Sequence, residues 1–243
     1  MRSDGTPECG PRVGKRNLKD DGGAMWIQEI WRYPVKSMAG ESLETADLTE
    51  SGVEGDRTVQ VRSSGGRIVT ARTRPLLLRY RATIGPAGGA SGANVFVDGR
   101  PWTATDVGRD VEAAAGAGSR LVESDAEQRF DILPLLIATD GMLAAVGYDR
   151  RRFRPNLVIG GVPGLTERQW EHCQLKVGQA VIGVRDLRTR CIMTTYDPDS
   201  GEQDLNVLRR IQNEFNGRLG LNCYVVSPGR ISTGDSVELI AQS

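Results

Sequence analysis

Thr58-Val59-Gln60-Val61-Arg62, then Ser63-Ser64-Gly65-Gly66, then Arg67-Ile68-Val69-Thr70-Ala71-Arg72 is the stretch on which the reading of the fold turns. Apolar and polar side chains alternate on both sides of a Ser/Gly turn, so the two runs pair as a hairpin with one face buried and one wet. Working outward, the same signature recurs. Trp26, Ile27, Ile30, Trp31 and Tyr33 form a strongly apolar first strand ended by Pro34. Residues 78–84 pair with 94–97 through the loop 85–92, whose glycines lack the G-x-G-x-x-G spacing and the following helix of a phosphate cradle. Further strands are expected at 156–159, 181–185, 223–226 and 236–240. Helical signals are sparser. Thr139-Asp140 caps a short helix through Met142, Leu143 and Val146, and residues 204–216 place Leu205, Leu208, Ile211 and Phe215 at helical spacing between an Asp204 cap and Gly217. Many short strands with two or three helices predict a β-rich α+β protein of barrel-like form, without internal repeats.

A length of 243 residues permits one large domain or two small ones. With 31 Lys and Arg against 31 Asp and Glu, the formal charge is zero, which argues against a nucleic-acid or polyanion binder working through bulk charge. The longest strongly apolar stretch, 132–138, spans seven residues and contains Pro134. A membrane helix needs about 20, so no membrane span is expected. Residues 1–24 carry Gly and charge with almost no large apolar side chains, and are expected to be a disordered tail, with Met25 a plausible first residue. Without that tail the balance is 26 positive against 27 negative. Cys9, Cys173, Cys191 and Cys223 form no C-x-x-C pair, which favours free thiols and a reducing compartment. Of the basic residues 27 are Arg and four are Lys, a bias typical of GC-rich bacterial genomes.

The generic catalytic systems find little support. The single histidine, His172, adjoins Cys173, but strand neighbours point to opposite faces, so an incidental His is the plainer reading. Scattered thiols do not make a zinc site, and no motif singles out a carboxylate pair. What stands out is Cys191 within the polar segment 188–201, flanked by Arg188 and Arg190. Nearby guanidinium groups favour the thiolate that ligates metals or attacks electrophiles; a half-buried cysteine at a strand end is the alternative, and local chemistry leaves both open. Lys36 and Ser37 follow the first strand, Gly55-Asp56-Arg57 opens another, and Arg154-Pro155-Asn156 precedes a third. Arg offers a fixed fork of donors for phosphate, whereas singly each of these is more often a solvated surface residue. The run Arg150-Arg151-Arg152 reads as an exposed loop face or partner surface.

The segments YPVKS (33–37), GDR (55–57), TAR (70–72), FRPN (153–156) and RCIMTTYDPDSG (190–201) occur in the order typical of MOSC-domain proteins. Over residues 25–240 the chain resembles that family, which includes the mitochondrial amidoxime-reducing components and bacterial relatives. The resemblance implies an N-terminal β-barrel subdomain over 25–110 packed on a β-barrel-like MOSC domain over 111–243, with a molybdenum cofactor (Mo-molybdopterin) between them. It implies that Cys191 is the catalytic metal ligand and that Lys36, Ser37 and Arg57 bind the cofactor's phosphate and pterin. Arg154 and Asn156 would contact it from the other side, Thr189 and Arg190 would support the ligand loop, and Arg72 and Asp131 complete the set. The implied activity is reduction of N-hydroxylated compounds such as amidoximes, hydroxylamines or N-hydroxylated bases. The alternatives are a molybdenum cofactor or sulfur carrier without its own turnover, and a domain that keeps only the fold. Human-type relatives carry a membrane anchor before the barrel, and some bacterial ones append a ferredoxin domain. The polar tail leads to the expectation of a soluble protein, expected also to be a cytoplasmic monomer, and the end at Ser243 to the expectation of a separate electron donor. Its electrons would come from a separate ferredoxin-like or small haem protein with its reductase, with no membrane or nucleic-acid partner.

Overall fold

A computed structural model of the chain describes residues 24–85 and 94–240. The expected tail, but for Ala24, and the expected loop, but for Gly85, lie outside the described residues. The strands of the N-terminal half are β1 (Met25–Arg32), β2 (Glu41–Leu43), β3 (Thr45–Thr49), β4 (Gly52–Val53), β5 (Val59–Arg62), β6 (Ile68–Val69), β7 (Ala82–Ile84), β8 (Val95–Val97), β9 (Arg100–Pro101) and β10 (Arg120–Glu123). The remainder are β11 (Leu135–Thr139), β12 (Leu157–Gly160), β13 (Gln174–Val177), β14 (Ala180–Thr189), β15 (Arg218–Ser227), β16 (Gly229–Ser232) and β17 (Ser236–Ile240). Three helices punctuate them: α1 (Thr105–Ala115), α2 (Asp140–Val146) and α3 (Leu205–Phe215).

The strand-rich α+β class holds, and its centre is a closed barrel. The strands run in the order β12-β11-β15-β14-β13-β17-β1, and β1 pairs back onto β12, with β2 attached beyond it. Closure works because β1 is long enough to serve three neighbours. Met25 and Trp26 pair with β17, Ile30 to Arg32 pair with β2, and the opposite edge pairs with β12. Ile27, Ile30, Ile137, Leu157, Ile159, Leu175, Ile182 and Leu221 fill the interior with no more than 1% of their surface exposed. Each such side chain contributes about 1.5–3 kcal/mol, so the first strand is bound firmly into a barrel otherwise built from the C-terminal half.

A second core forms where Val35, Met38, Val59, Val61, Val95, Val97, Val107 and Val111 meet. It lies between the sheet β10-β5-β6, the sheet β7-β8-β9 and α1. The hairpin expected from 58–72 is β5 and β6, paired Val61 to Val69 and Arg62 to Ile68. The domain boundary expected after residue 110 falls inside α1. Val107 and Val111, one helical turn apart, are both buried in this core, and β10 pairs with β5, so the break in packing comes after β10. Helix α1 had no local signal: its cap position is Ala104, without a side-chain cap, and Gly108 lies mid-helix.

Residues 78–81 are not strand, because Pro75 starts a 3-10 turn over Pro75–Arg79 that buries Leu77. Both expected helices are present, with Thr139 accepting from Met142 N and Asp204 from Asn206 N. The buried stripe of α3 is Val207, Ile211 and Phe215, against Phe153 and α2, while Leu205 is an exposed end residue. Cys191 and Cys223 are free thiols; Cys173 is disulfide-bonded, which corrects the expectation of free thiols throughout.

Candidate active site

Where β1 leaves the barrel, its continuation is fixed by the segment that opens β5. The fully buried Asp56 carboxylate accepts from Tyr33 N at 2.7 Å, Arg57 N donates to Tyr33 O at 2.8 Å, and Lys36 N donates to Val59 O at 2.8 Å. These bonds hold two residues in a backbone region that L-amino acids avoid, Ser37 at φ 73° and Arg57 at φ 55°. A third, Arg154, has φ 54° on the barrel side. Such positions cost on the order of 1–3 kcal/mol and persist only where surroundings enforce them. All three line one cleft of about 270 Å³ between the two cores.

The same cleft is lined by Lys36, Arg72, Asp131, Thr189, Arg190 and Cys191, so nine of the ten sequence-predicted site residues converge there. Asn156 is the exception. It lines a small chamber of about 40 Å³ behind the cleft, which shares Arg57, Asp131 and Arg188 with it. Its Oδ1 accepts from Leu136 N at 3.1 Å and its Nδ2 donates to Trp31 O at 3.3 Å, so the amide ties β1 to β11 with both ends engaged.

The cleft is dominated by cations. Asp131 gathers three of them: Lys36 Nζ at 3.1 Å, Arg72 Nη2 at 2.6 Å and Arg188 Nη2 at 3.8 Å. Burial alone would raise the Asp131 carboxyl, yet Lys36 and Arg72 hold it below the usual carboxylate range. Arg154 and Arg190 have no such counter-ion. Burial pulls both guanidinium groups down to about 10, and Arg154 Nη2 and Arg190 Nε are buried without a hydrogen-bond partner. Arg154 lies 4.2 Å over the Tyr33 ring, and Arg190 Nη2 donates to Phe153 O at 2.8 Å. Cys191 sits between Arg190 and the 3-10 turn Ile192–Thr195, where Thr194 N and Oγ1 both donate to Cys191 O. That turn aims a free, half-buried thiol into the cleft wall.

Sequence reasoning left Arg188 and Phe153 out of the site. Arg188 was legible from its place two residues before Arg190; Phe153 was not, since its role is to cover Arg190 at 5.3 Å from inside the α3 core. Buried, unpartnered N–H groups beside a thiol suit an anionic ligand with a soft-metal centre, because each donor gains a bond that it otherwise lacks. Among the described residues no group of three or more His, Cys, Asp or Glu could cage a bare ion.

Comparison with known proteins gives the architecture its family. The MOSC N-terminal beta barrel domain matches residues 24–128, and the MOSC domain matches residues 139–238. The chain is a MOSC-domain protein. Human mitochondrial amidoxime reducing component 2 is 28% identical over 232 residues, which cover 73% of this chain and 68% of that protein. Molybdenum cofactor sulfurase 2 of Culex quinquefasciatus is 36% identical over 74 residues, 30% of this chain and 10% of that protein. Among solved structures the YuaD protein of Bacillus subtilis aligns with a TM-score of 0.46 at 14% identity, covering 91% of this chain and 98% of that one. In this MOSC protein the two matched regions meet at the cleft. Lys36, Ser37, Arg57 and Arg72 come from the first, Arg154 and the Thr189-Arg190-Cys191 segment from the second, and Asp131 from the link between them.

Proposed function

We propose that the cleft binds the molybdenum cofactor through Cys191 and that the protein reduces N-hydroxylated compounds such as amidoximes, hydroxylamines or N-hydroxylated bases. One observation carries the reading: a free thiol shares its cleft with two half-buried arginines, each with one buried nitrogen, Arg154 Nη2 and Arg190 Nε, that lacks a partner. A phosphate-bearing cofactor with a thiophilic metal satisfies both features together. When bound, it supplies the two-electron chemistry by which an N–OH group, two electrons and two protons become an N–H group and water.

The chain's own residues prepare the site. Arg57, Arg154 and Arg190 offer fixed donors to phosphate and pterin oxygens, Ser37 and Thr189 line the approach, and Cys191 Sγ presents the soft ligand. Asp131, held ionised by Lys36 and Arg72, is a counter-ion at neutral pH and not a proton donor; it orients both cations toward the cleft. Electrons come from a separate carrier protein with an acidic face, and the enzyme works as a cytoplasmic monomer. Charge distribution supports the partner's sign: from Arg57 to Val97 the sequence holds seven arginines and no Asp or Glu, in a chain of zero formal charge. Arg57 and Arg72 of that segment line the cleft itself.

A carrier role is the second reading, favoured by the local similarity to the molybdenum cofactor sulfurase. Protein produced in a host that makes the cofactor separates the two. The enzyme reading expects molybdenum and pterin near one per chain and benzamidoxime reduction driven by reduced methyl viologen. Full cofactor loading with no turnover would favour the cofactor carrier, and absence of bound molybdenum would remove both the enzyme and the cofactor carrier and leave the sulfur carrier.

A further inference from the structure

Beside the Cys191 cleft lies a larger cavity of about 480 Å³ that the cofactor reading leaves unused. Arg154 and Met193 line both spaces, so the two share a wall. One side of the cavity is aromatic: Trp31 and Tyr33, two residues apart at the end of β1, lie 6.5 Å between ring centroids at 18°, and Tyr196 joins them from the segment after Cys191. The lining that comes from the N-terminal half beside the second core carries Arg79 and Arg81.

The arginines around this cavity differ sharply in how their charge is met. Arg151 forks onto Asp199 at 2.7 and 2.6 Å and also bonds Asp149, while Arg152 pairs with Asp197 at 2.8 Å and donates to Thr195 O. These pairs fix the loop 195–199 as a floor. Arg79 and Arg81 form no ion pair or side-chain hydrogen bond with any described residue. The Asp98 carboxylate accepts from the Arg81 backbone N–H. The Arg79 stem is nevertheless placed, since a Cβ built at Gly201 would stand 3.4 Å from its Cδ. Arg79 and Arg81, exposed and without a protein counter-ion among the described residues, thus line the same space as Trp31, Tyr33 and Tyr196, a space large enough for a small organic molecule.

We propose that this cavity is a substrate-recognition chamber for a planar aromatic compound bearing an anionic group, its ring against Trp31 and Tyr196 and its carboxylate or phosphate on Arg79 and Arg81. The inference rests on the reductase reading only for which end reacts: the N-hydroxyl end points past Met193 toward Cys191. Recognition of ring and anion stands on the cavity alone. Aromatic surface supplies contact area, and Arg supplies a bidentate fork for an oxyanion.

The test uses cofactor-loaded full-length protein and two matched probe pairs. In equilibrium titration, 4-carboxybenzamidine and benzamidine, products that cannot be reduced further, report binding without turnover. In the methyl viologen assay, 4-carboxybenzamidoxime and benzamidoxime report kcat and KM. The chamber predicts that the carboxylate member of each pair is favoured roughly tenfold or more, the scale of one charge-assisted hydrogen bond. The preference should appear in KM and not in kcat, vanish in Arg79→Ala/Arg81→Ala, and return in Arg79→Lys/Arg81→Lys. A phosphate-bearing N-hydroxylated nucleoside compared with its unphosphorylated form tells which oxyanion is preferred. Equal affinity within the amidine pair, or a preference that survives the double alanine variant, overturns the proposal whether or not the protein reduces anything. An arginine-dependent preference without reduction of any substrate upholds the chamber and overturns the reductase reading.

Discussion

The Arg154 guanidinium stands 4.2 Å over the Tyr33 ring, where a buried cation without a counter-ion is held by an aromatic face. The Tyr33 hydroxyl in turn donates to Pro155 O at 3.1 Å, so the two residues lock the end of β1 to the turn before β12. The proposed cofactor cleft and barrel closure therefore meet at one pair, and substitution separates them. Tyr33→Phe keeps the ring beneath Arg154 but leaves a buried carbonyl without its donor, at a cost of about 1–3 kcal/mol. Urea unfolding should register that loss while molybdenum content stays at the wild-type level. Arg154→Met should do the reverse. Its apoprotein is expected to be no less stable, because a desolvated and partly unpartnered cation is replaced by an apolar chain. Its cofactor retention should fall more than tenfold, roughly 1.5–3 kcal/mol for one charged hydrogen bond; undiminished molybdenum after extensive dialysis would place Arg154 outside the binding set.

Cys191 and Cys223 provide a matched comparison. Cys223 is fully buried in β15, and burial, followed by the neighbouring Asp186, pushes its thiol up and keeps it protonated. Cys223→Ala should cost about 1 kcal/mol of stability and leave reduction of benzamidoxime intact. Cys191→Ala should bring reduction to background and lower activity further than pterin content, since the phosphate contacts remain. Near wild-type turnover by Cys191→Ala with metal still bound would end its assignment as the ligand.

Acid sensitivity of the apoprotein should pass through Asp131. Burial works against its ionisation, but Lys36 and then Arg72 hold its pKa below the ordinary carboxylate value. A depressed carboxyl contributes stability that is fully present above its unfolded pKa of about 4 and is lost as pH falls through the lower folded value. Wild type should therefore exceed Asp131→Asn in urea midpoint at about pH 5 to 7, and the gap should close on approach to about pH 3. A gap independent of pH would mean that the ion pairs do not stabilise the fold.

Gly55 controls the placement of Arg57. Its φ is +79°, and a Cβ there would come within 2.3 Å of Ile84 Cδ1. Gly55→Ala should cost about 1–2 kcal/mol from the backbone alone, with further loss from the overlap and reduced molybdenum retention as Arg57 shifts. Adding Ile84→Val should recover the steric part and not the backbone part, which a pair of thermal melts can resolve.

Much of the site was legible because its chemistry sits in short, unusual segments. Eight residues named from YPVKS, GDR, TAR, the FRPN turn, RCIMTTYDPDSG and Asp131, together with Thr189 just before the last segment, share one cleft. Asn156, from the same FRPN turn, does not. Nothing in its neighbours in sequence tells that Leu136 and Trp31 lie within reach of its amide, since both are backbone groups brought there by strand pairing. Helix α1 escaped notice for a related reason: with no cap and a glycine inside, its stability comes from burying Val107 and Val111 against strands far away in the chain.

By itself the amino-acid sequence determined the strand-rich class, the hairpin β5–β6, the capped helices α2 and α3, and the basic, thiol-bearing character of the site. Each of those follows from alternation, caps and residue chemistry within a few positions. Tertiary structure alone decided that β1 leaves its own half to close the barrel against β12 and β17. It also placed the break between the cores after β10 and brought Arg79 and Arg81 to line one cavity with Trp31. Those outcomes depend on which strand edges and apolar faces remain to be covered once the local elements exist, and a barrel edge is satisfied only by a partner that the whole chain must deliver.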